Sequence, residues 1–403
     1  MVSAVPQSTS LQSDSIRLTI ASLQPQLIEW RRRLHQQPEL GFCEHQTADF
    51  IRQKLTQWGI PHQHGVAGTG IVAAVSGHRP GPVLGIRADM DALPIQELNE
   101  VPYRSQHDGV MHACGHDGHV AIALGTAHYL SRYPDFAGTV KFIFQPAEEG
   151  PGGAKPMIEA GALSNPNVDA IIGLHLWNNL PLGTIGVRTG ALMAATELFR
   201  CRIQGKGGHG AIPHQTVDSI VVGSQVVNAL QTIVSRSVDP LKSAVVTIGQ
   251  FHAGSARNVI ADSAEIAGTV RYFDRGYDGF FSQRIEQIVA GICQSHGATY
   301  ELEYQALYPP VVNDAAITDL VRSVALSVVE TPAGVVPECQ TMGGEDMAFF
   351  LERVPGCYFF LGSANAAKQL DYPHHHPRFD FDETVLPMGV EMFVRCVEAY
   401  CVG

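Results

Sequence analysis

Apolar residues recur at helical spacing through the first part of the chain. Ile20, Leu23, Leu27 and Trp30 form one stripe, and Phe50, Leu55 and Trp58 form a second. Residues 15–58 therefore read as helical, with a break at Pro38-Glu39-Leu40-Gly41. The pattern then changes to short, almost continuous apolar runs at Ile71–Val75, Val83–Arg87, Val140–Phe144 and Ala170–Leu174. A helical stretch, His119–Leu130, falls between two of them. Runs without polar alternation suit strands buried on both faces, so the expected architecture is α/β, a mostly parallel sheet with helices on both sides.

From about Thr196 the order becomes strand (Leu198–Ile203), helix (Ser219–Ser235), strand (Ala244–Gln250), strand (Ala264–Tyr272), helix (Phe280–His296) and strand (Thr299–Tyr304). This β-α-β-β-α-β order is that of the ferredoxin-like unit. A helix at Ala315–Val329 and an apolar run at Cys357–Leu361 return to the earlier style. The expectation is a catalytic α/β domain over 1–193 and 308–403, interrupted by an inserted α+β domain over 194–307.

Composition narrows the partners. Of 403 residues 45% are hydrophobic and 16% charged, as in a soluble globular protein, and 27 basic against 39 acidic residues leave a net charge of -12. Nucleic acid and acidic lipid both need a basic footprint, so neither is expected. No apolar run reaches the roughly 18 residues of a membrane span. Residues 1–14 have neither a basic start nor an apolar stretch, and read as a polar lead-in rather than a signal peptide. Eight scattered cysteines without a CxxC point to a reduced, cytoplasmic protein.

Ligands of open α/β sheets bind beyond the carboxyl ends of the strands. Asp89-Met90-Asp91 follows one predicted strand, Gln145-Pro146-Ala147-Glu148-Glu149 another and His175 a third. A short loop after Cys357–Leu361 leads to His374-His375-His376-Pro377. Cys114-Gly115-His116 precedes a helix. A thiolate and an imidazole suit zinc, or manganese where carboxylates complete the set, but a Cys–His nucleophilic pair fits the same letters. Of the adjacent Glu148 and Glu149, one could bind metal while the other moves protons. Gly205-Lys206-Gly207-Gly208-His209-Gly210 lacks the Ser or Thr of a P-loop. Gly68-Thr69-Gly70 precedes a strand instead of opening a helix, which excludes a dinucleotide fingerprint.

These motifs, from Arg31-Arg32-Arg33-Leu34-His35 to Pro377-Arg378-Phe379-Asp380-Phe381-Asp382-Glu383, resemble the aminoacylase/carboxypeptidase-G superfamily of two-metal amidohydrolases. The nearest branch is that of hippurate hydrolases, auxin-conjugate hydrolases and N-acyl-L-amino-acid amidohydrolases. The resemblance implies two divalent metals per chain, zinc or manganese with cobalt or nickel also suited. Cys114 is then the bridging ligand, and His116, Glu149, His175 and His375 complete the set. The superfamily carries His-x-Asp where this chain has Arg87-Ala88-Asp89; His116 stands in for the missing histidine, and Asp89 orients a ligating histidine. His375 is chosen from three consecutive histidines because it stands two before Pro377. Glu148 is the general base and acid. The inserted domain serves as a lid and dimerisation domain, whose His209 polarises the substrate carbonyl across the dimer interface, while Asn258 and Arg271 contact the substrate. Gly343-Gly344-Glu345-Asp346 resembles a substrate-side loop. The implied reaction releases a carboxylic acid and a free amino acid from a small N-acyl amino acid, in a homodimer or higher homo-oligomer. A dipeptidase or aminopeptidase with the same metals, a Cys114 nucleophile, and a non-catalytic metal-dependent binding protein are the competing readings.

Overall fold

The computed structural model describes residues 10–402, with side chains from Ser15. Most of the predicted lead-in lies outside the described residues. Its end does not: the first helix, Ser10–Ala21, begins before residue 15. Two compact units divide the chain. One comprises residues up to Gly190, Val312–Cys339 and Phe349–Gly403; the other comprises Ala191–Val311 with Gln340–Ala348.

The first unit is built on an eight-stranded sheet. Its centre is four parallel strands in the order Ala137–Gln145, Arg79–Asp89, Ala170–Pro181 and Gly356–Ala364. The hairpin His62–Val66 and Gly70–Ser76 adds antiparallel strands beside Ala137–Gln145. On the other side lie two short strands, Ile185–Gly186 and Val335–Val336. The central runs are apolar on both faces because both are covered.

The helix His116–Arg132 is buried on nearly every position from His116 to Leu130. It packs against the helices Gln24–Gln36 and Leu386–Tyr400. Leu386–Tyr400 was not expected. Its polar residues Glu391, Arg395 and Glu398 stand four and three apart, on one face, and within that face Glu391 and Arg395 are buried and pair with each other at 2.8 Å.

The strand containing His175 is longer than its apolar run. It continues to Pro181 beside Gly356–Ala364, with Phe360 opposite His175. On its other side the pairing with Arg79–Asp89 stops at Gly173. His175 therefore lies within a strand, at the level where one neighbour ends, and does not follow the strand as the sequence suggested.

In the second unit, four antiparallel strands run in the order Ala244–Ala253, Ser263–Tyr272, Ala195–Gln204 and Thr299–Tyr308. With the helices Ser219–Thr232 and Phe280–His296 in chain order, this is the ferredoxin-like arrangement. Phe199, Cys201 and Ile203 are buried, while Leu198, Arg200 and Arg202 between them face outward, so one face carries the core. The segment Gln340–Ala348 joins this unit through bonds from Gln340 Nε2 to the Ala191 carbonyl (2.8 Å) and from the Thr341 amide to that of Leu192 (3.1 Å). Gly343-Gly344-Glu345-Asp346 therefore belongs with the inserted fold.

Candidate metal centre

Four segments of the first unit converge at the carboxyl ends of its central strands. Cys114 sits in the turn into the helix His116–Arg132, where Gly115 takes φ +89°, a conformation costly for residues with a side chain. His116 opens that helix, Glu148 and Glu149 follow the strand Ala137–Gln145, and His375 comes from the late loop. Cys114 Sγ lies 3.5 Å from His175 Nε2, and His375 Nε2 lies 3.1 Å from Glu149 Oε1.

Donor atoms of Cys114, His116 and His175 all lie within 4.8 Å of one another, and those of Cys114, Glu149 and His375 form a second such set. The two sets share the cysteine sulfur. Donors of His116, Glu148 and Glu149 satisfy the same limit, which brings Glu148 beside both sets.

Hydrogen bonds fix which nitrogen each histidine offers. His116 donates from Nδ1 to the Asp91 carbonyl (2.9 Å). Its buried Nε2 has no hydrogen-bond partner and lies 3.7 Å from Asp89 and 4.0 Å from Glu148. His175 donates from Nδ1 to the Leu176 carbonyl (2.7 Å), leaving Nε2 toward Cys114. The same carbonyl accepts from His374 Nε2 at 2.9 Å. His374 is thereby engaged, whereas His375 takes φ +64° and turns toward Glu149.

Asp89, expected to orient a ligating histidine, makes two close bonds. Its carboxylate accepts from His119 Nδ1 (2.5 Å) and from Arg87 Nη1 (2.6 Å). His119 Nε2 in turn accepts the Leu176 amide hydrogen at 2.9 Å. Donor atoms of Asp89, His116 and His119 lie within 4.8 Å of one another. Asp89 thus lies against His116 Nε2 directly, at 3.7 Å, and is also bonded to His119, a histidine given no role in the sequence. The spacing of His116 and His119, three apart on one helix, is the signal that marks it. Asp91 is the other omission. It holds His116 through its carbonyl, and its two carboxylate oxygens accept the amides of Glu148 and Glu149, each at 3.0 Å.

The electrostatics suit cations. Burial drives the Cys114 thiol well above its ordinary range, and Glu149, Glu148 and Asp89 push it further. A thiolate here needs added positive charge, so the site disfavours Cys114 as a free nucleophile and suits a metal-bound sulfur. Burial opposes a charged His116, yet Asp89, Asp91 and Glu149 outweigh it and raise the imidazole to about 10. An imidazole whose acceptor nitrogen has no partner, amid carboxylates that attract cations, fits a divalent ion on chemical grounds.

Behind the centre lies a buried ion network. Arg31, fully buried, donates to Asp117 (2.8 Å), Asp380 (2.7 Å) and Glu383 (3.2 Å). His35 bonds Asp117 at 2.7 Å and Glu97 at 3.2 Å. Asp117 directly follows His116, so the early Arg31–His35 motif and the late Asp380–Glu383 motif meet at the turn carrying two donors.

In the second unit, His209 lies on the short strand Gly208–His209, exposed, with Nδ1 accepting the Ala211 amide (3.0 Å). The exposed Asn258 is next to it, its carbonyl accepting the Gly210 amide at 2.9 Å. Arg271 is half-buried and donates from Nη1 to the Thr196 hydroxyl. A side chain at Gly344 would press on that same pair.

Residues 85–399 match the family model of peptidase family M20/M25/M40. The chain belongs to that family. It is therefore an enzyme of the M20 group. It is 48% identical over 305 residues to an N-acyl-L-amino acid amidohydrolase of Geobacillus stearothermophilus, covering 75% of this chain and 82% of that one. It is 42% identical over 378 residues to an N-acetyl-L-cysteine deacetylase of Bacillus subtilis, covering 94% and 88%. Among solved structures, a dinuclear metal-binding peptidase of the M20 family from Bacillus subtilis superposes with a TM-score of 0.81 at 36% identity, over 94% of this chain and 99% of that one. This M20 chain has no helix, among the described residues, long and apolar enough to cross a membrane.

Proposed function

We propose that the protein is a two-metal amidohydrolase that cleaves the amide of small N-acyl amino acids. The observation that carries this reading is the pair of three-donor sets sharing Cys114 Sγ, with Glu148 beside them. Two divalent ions, zinc or manganese, would supply Lewis-acid activation of the attacking water and of the acyl oxygen. Cys114, His116 and His175 would hold one, and Cys114, Glu149 and His375 the other. Glu148 takes a proton from the attacking water as its oxygen bonds the acyl carbon, and delivers a proton to the leaving nitrogen as the C–N bond breaks. Asp91 keeps that carboxylate in place through the loop backbone.

In this reading His209 of a second subunit stabilises the developing oxyanion, and Asn258 and Arg271 engage the substrate. A homodimer follows. Eight free cysteines suit a reducing compartment, and we place the protein in the cytoplasm.

The Geobacillus and Bacillus relatives, an amidohydrolase and a deacetylase of N-acyl amino acids, support this substrate class. The dinuclear neighbour, described as a peptidase, supports a second reading, dipeptide hydrolysis by the same residues. A panel of hippurate, N-acetyl amino acids, N-acetyl-diaminopimelate, indole-acyl amino acids and dipeptides separates them. Turnover confined to acyl substrates supports the proposal, and turnover confined to dipeptides replaces it with the second reading. No turnover with metal retained would mark a binding protein.

A further inference from the structure

Three consecutive backbone amides, those of Ala147, Glu148 and Glu149, each donate to a buried carboxylate. Asp91 accepts the second and third. The first goes to Glu44, whose Oε1 accepts the Ala147 amide at 2.9 Å. We infer that Glu44 is a positioning residue for the loop that carries Glu148 and Glu149. The inference rests on the roles proposed above for those two glutamates.

Glu44 comes from the break between the early helices, a part of the chain that supplies no group to the metal centre. It is fully buried, and its Oε2 accepts the hydroxyl of Thr69 at 2.5 Å, so both oxygens are engaged. Ala147 needs such a restraint. It takes φ +55°, which a residue with a Cβ adopts only where its surroundings hold it. Without Glu44, the Ala147 amide would be a buried donor with no acceptor, and the loop would have to move to satisfy it.

The rest of the segment braces the same place. A Cβ on Gly41 would lie 2.8 Å from the Gly150 carbonyl oxygen and 2.9 Å from the Ala147 Cβ, so the two backbones meet at a distance only glycine allows. The Glu39 carbonyl accepts the Ala92 amide at 2.8 Å, next to Asp91. Residues 39–44 therefore tie together the two strand-end loops, one bearing Asp91 and the other Glu148 and Glu149. Asp91 holds the amides of Glu148 and Glu149, and Glu44 holds the amide just before them.

The shape of the contact separates positioning from charge. In E44Q the amide oxygen still accepts from Ala147, and the amide nitrogen can donate to Thr69, so the loop keeps its seat. In E44A the acceptor is gone. The test uses full-length wild type, E44Q and E44A, each followed by thermal melting, zinc retained against a competing chelator, kcat and KM on hippurate, and hydrogen exchange of the peptide spanning residues 146–150. For E44A the expected result is a kcat lower by about tenfold to a hundredfold, the scale for displaced catalytic groups and for lost support of metal ligands. KM changes little, zinc is held less tightly, and exchange at 146–150 is faster. E44Q restores kcat, zinc retention and exchange to near wild type.

A folded E44A with wild-type kcat, zinc retention and exchange overturns the inference. So does an E44Q as impaired as E44A, which would make the charge and not the seat the cause. Should E44A fail to fold, E44D decides, because it keeps the charge but falls a methylene short of Ala147. Reduced kcat and faster local exchange in E44D support the inference, and wild-type values overturn it. A wild type that neither binds zinc nor hydrolyses hippurate refutes the amidohydrolase reading instead. The exchange measurement still decides whether Glu44 holds the loop.

Discussion

Cys114 has two possible chemistries, and its surroundings choose between them. A nucleophilic cysteine wants a lowered pKa and an electropositive setting. This one is buried and faces Glu148, Glu149 and Asp89, all of which oppose the thiolate. C114S is therefore expected to lower zinc affinity by more than about a hundredfold, beyond the scale for loss of a supporting partner. Chelator competition with wild type and C114S checks this, and unchanged zinc binding in C114S would remove Cys114 from the donor sets. Cys114-Gly115-His116, the Glu148-Glu149 pair, His175 and the His374–His376 run stand out in the sequence as chemically capable stretches near strand ends or a helix start, while the choice of Glu149 and His375 within them rests on the family resemblance. Asp91 and His119 were less legible. Asp91 acts mainly through hydrogen bonds to loop amides, which no spacing rule announces, and His119 is marked only by standing three residues from His116 on a buried helix.

At the scale of elements, the helix Gln24–Gln36 and the helix His116–Arg132 are joined by the charges around Asp117. Burial and Arg31 oppose a charged His35, but its bonds to Asp117 and Glu97 and the charge of Asp117 prevail and raise it from 6.5 to about 9. A raised pKa means that the folded state binds the proton more tightly. The resulting stability is fully present below pH 6.5 and is lost as pH rises through about 9. Wild type should lose denaturant midpoint across that window while H35Q, which has no titrating group there, loses less. Parallel curves for the two proteins would show that His35 is not the group responsible. Most elements were readable from period and composition, and Phe280–His296 has the predicted bounds. The helix Leu386–Tyr400 was missed although its pattern is amphipathic, with Glu391, Arg395 and Glu398 on one face among apolar residues. The extension of Ala170–Pro181 past His175 was hidden. It depends on pairing with Gly356–Ala364, a partner more than 170 residues away in sequence.

At the scale of the whole molecule, an α/β unit carries every proposed metal donor, while His209, Asn258 and Arg271 lie in the ferredoxin-like unit. The architecture was legible as an interrupted chain because strand style changes near residue 195 and returns after 312. The membership of Gln340–Ala348 was not, since it rests on hydrogen bonds to Ala191 and Leu192 that leave no mark in composition. If His209 acts across a dimer, mixing inactive H209A with inactive E148A should restore part of the hydrolysis, because some mixed dimers contain one intact pair. A mixture as inactive as its parents, with subunit exchange verified, would place His209 in its own subunit's chemistry or outside it. The central claim is that this chain is a working two-metal hydrolase with Glu148 as its base. Its most direct test is metal content and hippurate hydrolysis on wild type beside E148A. Two metals per chain are predicted in both, with activity lower by about a hundredfold or more only in the variant. A wild type that binds no metal under reducing conditions, and gains no activity when zinc or manganese is added, would contradict the account.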